Sequence, residues 1–254
     1  MSVKKHIPVF FKKPLWWLFK APQRKLGFFT YGIELKGRIQ LFLDRLKSID
    51  SSELQPITIC VSNKNRTEAL LKYVLPSILQ ADESHLINLS VYDAGSDDAS
   101  MLEQSLREVL GSRLTFQSAN QPFARGQALN RAVANSNTEL LFITDADISL
   151  PKDIVKLVNT YAQRNRIWFP VCNAFTSPAE THTAWYVEGK GLMACTRTQF
   201  ATLKGYDESF TSWGGEDTDL WMRCWSHKYF CFRTNEAQLL HHWHEAVAGS
   251  GKKW

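Results

Sequence analysis

The apolar run 140–143, followed by Thr144-Asp-Ala-Asp-Ile-Ser-Leu-Pro151, constrains this chain more than any other stretch. Four apolar residues without alternation, bounded by polar ones, read as a strand buried on both faces. Such a strand belongs in a sheet covered by helices on either side. It ends in two carboxylates, Asp145 and Asp147, one residue apart. On an extended chain that spacing puts both side chains on one face. Two like charges so close call for a cation between them, and Mg2+ or Mn2+ is the divalent ion that prefers oxygen ligands. The carboxyl end of a central strand is also where open α/β sheets place ligands. Taken alone, an Asp-x-Asp pair is more often a polar turn after a strand, so its neighbours decide the matter.

Those neighbours repeat one pattern. Residues 57–61 read as a buried strand, followed by the polar loop Ser62-Asn-Lys-Asn-Arg66 and a helix over 67–79 with Thr67 as its N-cap. A second strand, 86–92, runs into Asp93-Ala-Gly-Ser-Asp-Asp98. That loop has the small residues a nucleotide needs for close approach, and Asp93 can accept a hydrogen bond from a base or ribose. A helix over 101–110, a strand at 114–117 and a helix opened by Phe123-Ala-Arg-Gly-Gln-Ala-Leu-Asn130 lead to the central strand. Strands alternating with helices predict an α/β domain built on a largely parallel sheet.

At 254 residues the chain suits one large domain with an extension. Its net charge of +5 hides an asymmetry: residues 1–50 carry +8 and the remainder −3. Residues 9–20 mix Trp16, Trp17 and three Phe with lysines. That is the composition of a segment at a bilayer interface, or of a strap whose aromatics pack on the domain. Nucleic acid is the weakest of the three partners, because no nucleic-acid-binding module accompanies the basic stretch. Ile39, Phe42, Leu46 and Ile49 recur at helical spacing, and Ser51, Ser52 and Pro56 then mark a boundary. The expected division is a basic amphipathic extension over 1–50 and a catalytic domain over 51–254. Five scattered cysteines without a Cys-x-x-Cys pair argue against a zinc cluster or disulfide scaffold. With no apolar run near 20 residues and no signal peptide, they point to the cytoplasm, with a peripheral place at the inner face of the membrane if the extension binds lipid.

In this order the signals resemble the nucleotide-sugar half of GT-A glycosyltransferases, and the opening strand and Asp-x-Gly-Ser loop resemble glycosyltransferase family 2. Ser212-Trp-Gly-Gly-Glu-Asp-Thr-Asp-Leu220 is similar to the Trp-Gly-Gly-Glu-Asp signature of β-1,4-galactosyltransferases and chondroitin-polymerase-type enzymes. The likeness covers about residues 56–245. It implies a GT-A fold, Rossmann-like with helices on both faces of the sheet. It also implies an inverting, metal-dependent enzyme that moves a hexose or N-acetylhexosamine from a UDP-sugar to a glycan or glycolipid hydroxyl, in bacterial surface-polysaccharide synthesis. A retaining transferase and a non-catalytic nucleotide- or glycan-binding module are the alternatives.

The resemblance also implies roles. Ser62, Asn65, Arg66, Asp93, Arg125, Asn130, Asp145 and Trp213 would contact the donor. Asp147, with Asp145, would hold Mn2+ or Mg2+, and His241 or His244 in Leu239-Leu-His-His-Trp-His244 would complete that site. Asp217 aligns with the general base and Glu216 with an acceptor-binding acid. Two departures matter. Related retaining N-acetylgalactosaminyltransferases carry Asn at the place of Asp217, so an acid there favours inversion. The usual two acids of the Asp-Asp-Gly-Ser loop are reduced to Asp93-Ala94.

Overall fold

A computed structural model describes residues 27–46, 50–211 and 214–245. Its centre is a seven-stranded sheet of order β10-β6-β9-β4-β1-β2-β3 among the described residues. The parallel half consists of β1 (Ile57–Asn63), β2 (Ile87–Asp93), β3 (Leu114–Ser118) and β4 (Leu140–Thr144). The other half is mixed. Here β9 (Met193–Thr196) runs antiparallel to β4 and to β6 (Arg166–Trp168), and β10 (Phe230–Phe232) pairs parallel to β6. The sheet is thus largely parallel, as expected, and among the described residues its antiparallel pairings are the two made by β9.

Every residue of β1 and β4 is buried, and the alternation of their side chains divides the core in two. Ile57, Ile59, Val61, Leu140 and Phe142 face one layer, which contains Leu102, Leu106 and Leu110 of α3 (Ala99–Leu110) and Ile154, Val155 and Val158 of α5 (Ile154–Tyr161). The helical run over 67–79, α2, supplies Leu70, Val74 and Ile78 to the same layer. Cys60, Leu141 and Ile143 face the other layer, with Ala128, Leu129 and Ala132 of α4 (Arg125–Ala134), Phe200 of α6 (Arg197–Thr202), and Leu220 and Cys224 of α7 (Glu216–Ser226). All five cysteines are buried and unpaired. Burial raises Cys172 to about 12, and it also pushes Cys60 and Cys195 well above the ordinary thiol value.

Thr67 does not cap α2. Its hydroxyl donates to Asp98 at 2.7 Å, and the capping position falls to Arg66 without a side-chain hydrogen bond. The run contains a π-turn, Leu70–Val74, ahead of Leu75–Leu79.

A smaller sheet of order β5-β11-β7-β8 lies beside the carboxyl end of β4. It is formed by β5 (Ile148–Ser149), β7 (Val171–Phe175), β8 (Thr183–Trp185) and β11 (Asn235–His241). Pairing of β11 with β5 sets His241 opposite Ile148, next in sequence to Asp147. Of the expected extension, helix α1 (Gly27–Leu46) is described, beginning twelve residues before Ile39, the first of the periodic apolar positions. It packs on the domain. Gly37 lies so close to Phe230 that a Cβ would come within 2.2 Å of the ring, and Asp44 pairs at 2.7 Å with the buried guanidinium of Arg166. The aromatic segment 9–20 lies outside the described residues.

Candidate functional site

The chain turns after Thr144, so Asp145 and Asp147 do not share a face. Asp147 points to the histidines of the β11 end. Its Oδ1 stands 3.7 Å from His241 Nε2, and its Oδ2 3.4 Å from His244 Nε2. One ligand atom from each of the three residues lies within 4.8 Å of the others. Those spacings suit convergence on a common ion better than direct hydrogen bonding. Asp147 Oδ1 is buried and has no hydrogen-bond partner among the described residues, a costly state unless a ligand satisfies it. His244 Nδ1 lies 2.8 Å from the Glu245 carbonyl. An N–H on Nδ1 would serve the carbonyl and leave the Nε2 lone pair facing Asp147, whereas Arg66, a donor only, calls for the opposite tautomer. Arg66 Nη2 sits 3.1 Å from the same Nδ1 and brings a positive charge to the cluster's edge.

The residues present therefore fit a divalent cation. One carboxylate and two imidazoles make a softer set than all-oxygen ligation, which favours Mn2+ over Mg2+. His242 faces elsewhere. Its ring stacks on Tyr73 with centroids 3.5 Å apart, and its nitrogens meet Ser149 Oγ at 2.8 Å and Glu180 at 3.1 Å.

Asp145 stands outside this cluster. Its Oδ1 accepts from Arg125 Nε at 2.7 Å, and Arg125 Nη2 donates to the Gly191 carbonyl at 2.8 Å. The third nitrogen, Nη1, lies 3.5 Å from Glu216 Oε1. Burial works against the charge of Arg125, but Asp145, Tyr206 and Glu216 overcome it and hold the guanidinium above its ordinary value. Arg125 thus ties the turn after β4 to the first residue of α7. Arg125 Nη1 and Glu216 Oε2 are buried without hydrogen-bond partners among the described residues, as is Asp147 Oδ1.

The start of α7 depends on two glycines. Gly214 and Gly215 have φ of 93° and 100°, which side-chain-bearing residues rarely adopt. Phe210 leaves no room for a Cβ on Gly215. Glu216, Asp217 and Asp219 occupy the first turn, where the free amides and helix dipole favour negative charge. Asp217 is half-buried, and its Oδ2 accepts from the Lys190 backbone at 3.2 Å. Trp213 lies outside the described residues.

The remaining candidates divide into two groups. Ser62 is buried on β1 beside Tyr92 of β2. Asn65 adopts a left-handed φ of 52° and donates its amide to Ser96 Oγ at 2.7 Å. Asn65 and Arg66 lie in the loop between β1 and α2, and Arg66 reaches the edge of the Asp147–histidine cluster. Asp93 and Asn130 are instead committed to the protein. The two oxygens of Asp93 accept from the Gly95 and Ser96 amides, the Ser96 and Ser118 hydroxyls and Asn63 Nδ2, all within 3.1 Å. Five donors fill the roughly four lone-pair positions of a carboxylate, so the base or ribose contact expected of Asp93 would have to displace one of them. Asn130 grips the turn before α7, exchanging hydrogen bonds with the Tyr206 backbone at 2.8 and 2.9 Å. A cavity of about 220 Å³ lined by Asn65, Arg66, Lys72, Tyr73 and Trp243 opens beside Arg66. Arg125 as a link between strand turn and helix was not visible in the sequence, because its partners lie 20 and 91 positions away.

Residues 173–245, from β7 to the end of the histidine segment, match the profile described as the N-terminal domain of galactosyltransferase. Human chondroitin sulfate N-acetylgalactosaminyltransferase 2 is 25% identical over 218 residues, covering 74% of this chain and 40% of that protein. The mouse protein of the same name is 23% identical over 216 residues, with the same coverage. The chain thus spans about 40% of the length of the curated relatives it matches. Among solved structures, Staphylococcus aureus TarS 1–349 with UDP-GlcNAc superposes with a TM-score of 0.62 at 13% identity, over 78% of this chain and 61% of that one. The mannosyltransferase PcManGT of Pyrobaculum calidifontis, in complex with GDP-Man and Mn2+, gives 0.58 at 20% identity, over 87% and 67%. The fold is that of the GT-A glycosyltransferases. Within that fold the chain is similar to the galactosyltransferase profile over residues 173–245 and, at 25% identity, to the chondroitin sulfate N-acetylgalactosaminyltransferase.

Proposed function

We propose that this chain is an inverting, metal-dependent glycosyltransferase that moves a hexose or N-acetylhexosamine from a UDP-sugar to a hydroxyl of a glycan or glycolipid. The observation that carries the reading is the convergence of Asp147, His241 and His244 on one point, with Asp147 Oδ1 unsatisfied and Arg66 at the edge. A divalent cation there would neutralise charge developing on a diphosphate leaving group. Arg125 keeps Asp145 and Glu216 in fixed relation, which favours holding donor and acceptor in line. Asp217, in the first turn of α7, is placed to take the proton from the acceptor hydroxyl.

UDP as the nucleotide is supported by the TarS complex with UDP-GlcNAc, and an N-acetylhexosamine by the names of the curated relatives. The setting in bacterial surface-polysaccharide assembly follows from the likeness to chondroitin-polymerase-type enzymes. A screen of UDP-sugars by UDP release, with and without Mn2+, tests the reading directly. No Mn2+-dependent release with any donor and a range of glycan acceptors would leave a non-catalytic binding module.

The base has its own test. Asp217→Asn should lower kcat by about a hundredfold or more, the usual scale for general base catalysis. UDP and Mn2+ binding should stay unchanged, because the substitution lies on the acceptor side. The wild-type product should be inverted relative to the donor. Near-normal turnover of the variant, or a retained product, would overturn both the role of Asp217 and the inverting mechanism.

A further inference from the structure

Helix α1 is amphipathic in the reverse of the usual sense. The side packed on the domain presents Gly37 against Phe230, partly buried Leu41, and Asp44 paired with Arg166. On the other side Leu35, Ile39, Phe42 and Leu43 are 51, 54, 62 and 46% exposed. At 3.6 residues per turn these four fall within an arc of about 100°, a continuous apolar stripe directed away from the protein. Exposed Lys36 borders the stripe on one side and exposed Arg38 on the other. A stripe that served the core would face inward, and a solvated helix would carry polar residues there.

We propose that this face of α1 docks on an anionic lipid bilayer, with Leu35, Ile39, Phe42 and Leu43 entering the interface and Lys36 and Arg38 meeting the headgroups. Helices that lie in a membrane interface combine such a stripe with basic borders. Charge distinguishes lipid from the other candidate occupants. Residues 1–50 carry +8, so a second copy would set two such extensions against each other. Residues 1–26 hold seven Lys/Arg and no acid, so folding them back over the stripe would bring like charges onto Lys36 and Arg38. An anionic surface complements both segments at once, with a contribution from each basic residue near the headgroups. Four half-exposed side chains also fall short of the roughly 800 Å² per partner of a standard protein interface. Among the described residues no helix is long and apolar enough to cross a membrane, so α1 would lie on the bilayer and not span it.

The full chain is tested by sedimentation with phosphatidylcholine vesicles containing or lacking about a third phosphatidylglycerol. The wild type should partition onto the anionic vesicles, and less so as salt rises. Ile39→Glu/Phe42→Glu should lower that partition tenfold or more, while the melting temperature and Mn2+-dependent UDP binding stay at wild-type values. Ile39→Leu/Phe42→Leu should restore it, and Phe42→Ser should give an intermediate loss. Undiminished partition of the Glu variant would assign binding to residues 1–26 alone and overturn the proposal. So would a wild-type dimer in light scattering that the Glu variant splits without changing vesicle binding, or failure of the wild type to bind anionic vesicles. The UDP-binding arm keeps a failure here separate from a failure of the proposed enzymatic function.

Discussion

Asp93 and Asp147 invite comparison, because both are buried and each follows or ends a strand of the central sheet, β2 or β4. Their surroundings are opposite. Asp93 accepts five hydrogen bonds, which hold the Gly95–Ser96 turn and join three neighbouring strands. Asp147 keeps one oxygen, Oδ1, unsatisfied and faces two imidazoles at 3.7 and 3.4 Å. A saturated carboxylate is part of the scaffold, whereas a buried carboxylate left unsaturated is waiting for a ligand. Burial and position do not separate the two roles, but the count of donors does.

The sharpest test of that contrast is Asp147→Ala. It should abolish transfer and Mn2+-dependent UDP binding, while the metal-free melting temperature stays within a degree or two or rises slightly, since an unsatisfied buried group has been removed. Calorimetry showing unchanged UDP affinity in Mn2+ would break the assignment. Next in size, His241→Ala should raise the Mn2+ concentration needed for half-maximal activity by about ten- to a hundredfold. His242→Ala should leave that concentration nearly unchanged and lower stability instead, because its ring is held between Tyr73, Ser149 and Glu180. The reverse order would mean that β11 presents the wrong face to Asp147.

Asp93→Asn should cost about 2–3 kcal/mol in denaturant unfolding, as donors lose a charged acceptor and meet an amide. Mn2+ affinity should be unaffected. A pH titration gives the smallest signal. Burial alone would raise the Asp93 carboxyl, but hydrogen bonds from Ser96, Asn63 and Ser118 outweigh it and hold the group below its ordinary value. The folded form therefore binds the proton less readily than the unfolded chain. Its stabilising contribution is complete above about pH 4 and is lost as pH falls through the lower folded value. The Asn variant should show a shallower acid limb of stability than the wild type.

The strands that carry the site were legible because they are buried on both faces and punctuated by polar loops, so 57–61, 86–92 and 140–143 stand out without alternation. The mixed half of the sheet was not, because β6, β9 and β10 have only three or four residues each and pair across long separations. The same limit applies within the site. The spacing of Asp145 and Asp147 suggested a shared face, but a turn after Thr144 sends one to Arg125 and the other to the histidines. The acidic motif at Glu216 and Asp217 was readable as a helix start, because glycine and acid side chains act locally there. The saturation of Asp93 was not, since two of its five donors, on Asn63 and Ser118, lie 30 and 25 positions away.

The five buried thiols have a practical consequence. Reaction requires a thiolate exposed to the reagent, and this fold denies exposure at every cysteine while burial holds Cys60, Cys172, Cys195 and Cys231 protonated. Their alkylation therefore times the opening of the structure around them. Cys60 reports on a central strand, Cys172 on the small sheet behind the histidines, and Cys224 on the helix that begins with Glu216. Pulse labelling read by mass spectrometry would rank these three regions by their opening free energies in the untouched wild-type chain. A ligand that binds at Asp147 would slow labelling at Cys172 if the small sheet closes around it, a footprint obtained without substituting a single residue.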